Sequence, residues 1–155
     1  MVRSAAREIA IQLGFAVAST GAEPRTAVEE FLEPSHYEGL KQESGVFGEK
    51  PSEKDRVFIL ESVCGVAEHR QELDAYIGKY AHGWRTERIS RSAAAVMRQA
   101  MYELLYMPDI PDRASISEAV ELAKGYEDRE VVAFINGVLG GFYRGELEKP
   151  ETEDE

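Results

Sequence analysis

Cysteine is almost absent from this chain of 155 residues: Cys64 stands alone, which excludes an internal disulfide framework and a multi-cysteine zinc site. Histidine is scarce too, and His36, His69 and His82 fall in no metal-ligand spacing. No apolar run approaches the ~20 residues that a membrane span requires. The opening MVRSAAREIAIQLGF lacks an apolar core followed by a small-residue cleavage site, so it does not read as a signal peptide. No glycine-rich turn is followed by the lysine of a phosphate loop, and GVLGG at 137–141 lies inside helical periodicity. Cys64 falls on an apolar helical stripe and reads as a small core residue rather than a nucleophile. These absences predict a non-enzyme without metal or cofactor, soluble and cytoplasmic.

What is present is charge, unevenly placed. Lys and Arg number 18 against 29 Asp and Glu, a formal charge of −11. Residues 146–155 alone hold six acids and one lysine, so they are expected to form an acidic disordered tail behind a single domain over 1–145. Residues 79–98 run the other way, with Lys79, Arg85, Arg88, Arg91 and Arg98 against Glu87 alone. A locally basic strip is compatible with nucleic acid even in an acidic chain, because distribution outweighs the sum.

Helical periodicity dominates. Ile9, Leu13, Ala16 and Val17 line one face of a helix over about 4–18, broken by Gly21 and Pro24. Ala27, Val28, Phe31 and Leu32 form a short amphipathic stretch. Residues 34–52, with three glycines and two prolines, read as a loop that Val46 and Phe47 could pin to the core. Ser52 with Asp55 marks an N-cap, after which Val57, Leu60, Cys64 and Ala67, then Leu73, Tyr76, Ile77 and Tyr80, trace one long stripe ending at Gly83. A helix over 90–106 places Met97, Ala100, Met101, Leu104 and Leu105 inward until Pro108 and Pro111 stop it. Ser115 and Glu118 make a capping box for the next helix, and Asp128 caps the last one. No strand-like alternation persists beyond four residues, so the fold class is all-α, six or seven helices.

On the helix over 90–106, Arg91 and Arg98 are seven apart and nearly eclipsed, on a side away from Met97 and Met101. Arginine binds a phosphate through two donors; a solvated polar face with local ion pairs is the competing account. Trp84 beside Arg85 is either a stacking platform or a core plug.

Three blocks resemble the NusB family: AREIAIQLGF at 6–15, WRTERISRSAAAVMRQAMYELLYMPDIP at 84–111, and ISEAVELAKGYEDREVVAFINGVL at 116–139. Their order and spacing fit, and the third is the most specific. The resemblance implies an all-helical bundle in two subdomains and no catalysis. It implies binding of boxA-type single-stranded RNA of rRNA leader transcripts together with NusE, a ribosomal small-subunit protein, in an RNA polymerase antitermination complex, with a homodimer also open. By the same resemblance Arg3, Arg7, Phe15, Arg91, Lys124 and Asn136 are assigned to RNA, and Phe15, Glu87, Arg88, Arg98 and Glu118 to the protein partner. Glu118 keeps its capping alternative, Asn136 an interhelix hydrogen bond, and the Glu87–Arg88–Arg98 group a local ion-pair network.

Departures from the family pattern are specific. The basic arm is thin, Phe15 lacks a tyrosine hydroxyl, Ala93 stands where an acid is usual, and Val131 and Ala133 replace polar residues. These predict weak binding to RNA alone and greater dependence on NusE. Two other readings stay open: a helical protein-interaction module that has lost RNA binding, and a stand-alone domain like that fused to rRNA methyltransferases.

Overall fold

A computed structural model describes residues 1–34 and 50–148, and among them every regular element is helical. The expected pin at Val46 and Phe47 lies outside the described residues.

Helix α1 (Arg3–Thr20) runs two residues past its expected end and stops at Gly21. There φ reaches 75°, and the glycine N–H donates to the Val17 carbonyl at 2.9 Å. Helix α2 (Pro24–Phe31) starts on a proline whose missing N–H costs nothing at that position, and the Glu23 carboxylate accepts from the Thr26 N–H. Helix α3 (Glu53–Glu68) begins in the expected capping box, Ser52 and Asp55 each accepting from the other's backbone N–H. The one long stripe is corrected, because the chain turns at His69 and helix α4 (Arg70–Tyr80) sets off anew. No glycine or proline marks this turn. The His69 ring stacks on Tyr106 with centroids 4.3 Å apart, so a contact distant in sequence fixes it.

The buried face of α3 is also corrected. Phe58, Ile59, Ser62 and Val63 are buried, whereas Val57 is 55% exposed and Leu60, Cys64 and Ala67 are half-buried. Two apolar neighbours compete at each turn of this helix, and one position of offset rotates the face by about 100°. Cys64 thus sits at the edge of the core, and its burial pushes the thiol pKa up.

After a 3-10 turn at Thr86–Arg88, helix α5 (Arg91–Tyr106) starts from the Ser90 cap and carries Met97, Ala100, Met101 and Leu104 inward as expected. Helix α6 (Asp112–Ala123) begins four residues earlier than expected, with Pro111 rather than Ser115 at the N-cap. The Ser115–Glu118 capping box does not form. Ser115 is buried, and its hydroxyl donates to Glu103 instead. Helix α7 (Arg129–Phe142) starts at the Asp128 cap and continues into a π turn at Tyr143–Leu147. Within that turn Glu146 accepts from Lys79 Nζ at 2.6 Å and from the Tyr80 hydroxyl, so the fold extends past the expected boundary at 145.

Helices α1, α2 and α3 pack as one group, and α4 to α7 as another; α1 and α3 lie on α5 and join the two. The junction contains one polar knot. The Arg7 guanidinium donates from Nε and Nη2 to the two Glu103 oxygens, each at 2.8 Å, with side chains 2% and 0% exposed. Gln99 donates to Glu103 at 3.1 Å and to Ser62 at 3.0 Å, and Ser115 completes the shell. Among the described residues no buried side-chain polar atom lacks a partner, as native interiors require.

Candidate nucleic-acid interface

Consecutive turns of α1 present Gln12 and Phe15, and helical spacing puts both on one side. The first turns of α5 bring Ser92 and Ala95 alongside, and the connection between α6 and α7 adds Tyr126. Together with Ile11 these residues line an open depression of about 180 Å³. Two of its aromatic side chains reach solvent, Phe15 37% and Tyr126 40% exposed.

Local chemistry holds this arrangement. Gln12 Nε2 donates to the Tyr126 hydroxyl at 3.2 Å. Burial pushes the Tyr126 phenol up, and the Gln12 bond only partly opposes it, so the ring stays neutral at physiological pH. Beside it the Glu127 carboxylate accepts from the hydroxyls of Ser90, at 2.5 Å, and Ser92, tying the α6–α7 connection to the start of α5. Aromatic faces next to polar donors offer a base both a stacking surface and an edge partner.

The sequence-assigned residues divide sharply. Phe15 is on this surface. Arg91, exposed at the head of α5, and Lys124, exposed at the end of α6, flank it along the chain. Lys124 Nζ lies 2.9 Å from Glu121. Arg3 is exposed but sits twelve positions up α1 from Phe15, about 18 Å along the axis. Its guanidinium carbon is 4.2 Å from the Phe58 ring centroid. Arg7 is the plain correction. With its guanidinium enclosed against Glu103, it has no surface on which to meet a phosphate.

Asn136 is exposed on α7 and its side chain makes no hydrogen bond among the described residues, so the interhelix tie is not its role. Glu87 and Arg88 are exposed in the 3-10 turn and form no ion pair among the described residues. Arg98 does pair, but with Asp74 (Nε to Oδ1 2.7 Å), and its side chain is only 11% exposed. A Glu87–Arg88–Arg98 network is therefore not formed. Glu118 is half-buried on α6. Trp84 is half-buried and packs at a 34° tilt against Phe134 with centroids 4.5 Å apart, as a plug against the core. Ala93 is buried, so its small side chain is a packing matter and takes no polarity from the surface.

Sequence reasoning missed Gln12, Tyr126 and Ser92. Gln12 lies one turn before Phe15 on the same helix and was within reach of a periodicity argument. Tyr126 was not, because only the α6–α7 connection brings it back to α1.

Residues 4–144 match the model of the NusB family. A relative named transcription antitermination protein NusB, from Symbiobacterium thermophilum, is 37% identical over 145 residues, covering 94% of this chain and 91% of its own length. The protein of the same name from Clostridium botulinum is 33% identical and covers 90% and 98%. Among solved structures, NusB of T. maritima superposes with a TM-score of 0.75 at 25% identity, covering 93% and 92%. A complex of antitermination factors NusB and NusE with dsRNA contains a chain of the same fold, with a TM-score of 0.73 at 21% identity and coverage of 92% and 96%.

Proposed function

This chain belongs to the NusB family, and from that premise we propose that it is an RNA-binding transcription antitermination factor and not an enzyme. It acts in the cytoplasm on boxA-type single-stranded RNA of rRNA leader transcripts, together with NusE, to support read-through by RNA polymerase. The observation that carries this reading is chain-long similarity, 37% over 94% of the sequence, to a protein bearing that name. The fold neighbour whose complex holds NusE and RNA is what favours these two partners.

The exposed surface suits the task. Phe15 and Tyr126 offer ring faces to unpaired bases, while Arg91 and Lys124 lie at the margins for phosphates. Arg3 serves a more distant part of the strand, and Asn136 offers a donor and an acceptor on the far helix. Exposed Glu87 and Arg88, with half-buried Glu118, are assigned to NusE. Arg98, paired with Asp74, and the buried Arg7 are not assigned to NusE. A charge of −11 opposes RNA at long range. NusE brings part of the cationic surface, which makes binding by this chain alone weak.

The test is fluorescence anisotropy of a labelled boxA RNA against a scrambled RNA, with and without NusE. Expected is a preference for boxA that NusE strengthens and that falls steeply with salt. Absence of any preference, even with NusE, refutes the assignment and leaves a protein-interaction module. Sedimentation in parallel reports whether the Phe15–Tyr126 surface instead meets a second copy.

A further inference from the structure

The first turn of α5 is a ridge between two depressions. Ser92 and Ala95 face the aromatic one, whereas Arg91, Ala94 and Arg98 face a second groove of about 360 Å³. Its far wall is α4, with Arg70 and Asp74, and the end of α1 closes it one turn beyond Phe15. We propose that this groove binds a nucleic-acid phosphate, so that a strand crossing the ridge stacks a base at Phe15 and Tyr126 and places a neighbouring phosphate among Arg70, Arg91 and Arg98. The proposal rests on the RNA reading above and names a site within it.

Charge is the first argument. Three guanidinium groups face one carboxylate, leaving two positive charges in a concave site of a chain that totals −11. Asp74 occupies only part of the donor set, accepting from Arg98 Nε at Oδ1 (2.7 Å) and from Nη2 at Oδ2 (3.3 Å), so a phosphate meets the N–H donors that remain. Arg70 Nε adds a third contact to Oδ2 at 3.7 Å.

Preorganisation is the second. Arg98 is held by that bidentate pair with its side chain 11% exposed, so its remaining N–H donors point from a fixed base. Arg70 Nη1 reaches the Ala18 carbonyl at 3.5 Å, which offsets the negative end of α1 where it meets the groove. Arg91 has no partner among the described residues and stands at the positive end of a 16-residue helix, where an anion is favoured. A strut between α4 and α5 needs one arginine on Asp74; it does not need two more facing an open groove.

Geometry is the third. The ridge is one helix wide, roughly 10 Å, a span that one or two nucleotides of extended strand cover. Stacking on one side and charge on the other are the two contacts that hold single strands without reading sequence.

Two measurements test this. In the first, sodium pyrophosphate is titrated into the full chain while the arginine Nε–Hε signals are followed by NMR. Expected is a saturable shift of Arg70, Arg91 and Arg98 together, abolished in Ala94→Glu, which sets a carboxylate in the groove, and retained in the size control Ala94→Gln. No saturable shift, or the same shift in every arginine, overturns the site. In the second, RNA affinity with NusE present is measured against salt. Arg91→Ala and Ala94→Glu should each weaken binding about tenfold, and Arg91→Ala should reduce the salt slope by about 0.7, while Ala94→Gln matches the unaltered chain. RNA binding that neither variant changes overturns the groove. Pyrophosphate binding without any RNA binding by the unaltered chain refutes the RNA reading and leaves the anion site standing.

Discussion

Replacing Arg7 by methionine separates a structural role from an RNA-binding one. The substitution removes two hydrogen bonds of 2.8 Å and leaves the Glu103 carboxylate, 0% exposed, without its counter-charge. Breaking a buried pair from one side costs about 3–5 kcal/mol. Glu103 keeps donors from Gln99 at 3.1 Å and Ser115 at 3.0 Å, so the loss should fall near the lower figure. About 3 kcal/mol lowers the melting temperature of a domain of this size by roughly 6–12 °C. Urea and thermal unfolding followed by far-ultraviolet circular dichroism read this directly, with an unchanged urea slope. Adding Glu103→Gln removes the orphaned charge and keeps an acceptor for Ser115, so most of the loss returns. RNA affinity of the folded Arg7→Met protein, measured well below its melting temperature, should match the unaltered chain. A cost under about 1 kcal/mol, or weakened RNA binding at unchanged stability, would refute the buried pair and restore Arg7 to the interface.

Other substitutions probe separate parts of the argument. Phe15→Ala should weaken the RNA complex by about 1–3 kcal/mol, the range for one lost stacking contact, whereas Phe15→Tyr should tighten it if the missing hydroxyl limits binding; anisotropy decides both. Gly65→Ala should destabilise the fold by about 1–3 kcal/mol, since a Cβ there would overlap the Tyr102 ring, and urea unfolding measures it. Asp55 is pulled up by burial but brought below the usual 3.8 overall by hydrogen bonds from Ser52 and the N-terminal ammonium. A carboxylate with a lowered folded pKa contributes above 3.8, and that contribution disappears as pH falls through the folded value. Asp55→Asn should therefore melt below the unaltered chain at neutral pH and converge with it in acid.

Local signals carried most of the helix boundaries. Ser52, Ser90 and Asp128 cap where capping chemistry puts them, because the bond closes within three residues. Ser115 failed for the opposite reason. Its sequence neighbours offered a cap, but Glu103, twelve positions away, took the hydroxyl. The face of α3 was ambiguous where Val57, Phe58 and Ile59 run together, and packing against α1 chose the latter two. Arg7 shows the limit most clearly. An arginine near the start of a helix reads as surface, and its partner lies 96 residues on. At the interface, Phe15 was legible through family resemblance, and Arg91 through the basic strip. Gln12 was within reach of helical periodicity, whereas Tyr126 and Arg70 acquire meaning only from helices meeting.

The Arg7–Glu103 pair also acts as a registration pin. Bidentate geometry tolerates little sliding, and one helical turn of slippage would carry Phe15 about 5.4 Å past its neighbours on α5. The Phe15–Tyr126 surface is assembled from α1 on one side of the junction and from α5 and Tyr126 on the other. Its dimensions are therefore set from inside, by a polar contact closed off from solvent. A substitution on the surface leaves such a pin in place, and with it the spacing of Phe15 from Ser92 and Ala95 across the junction.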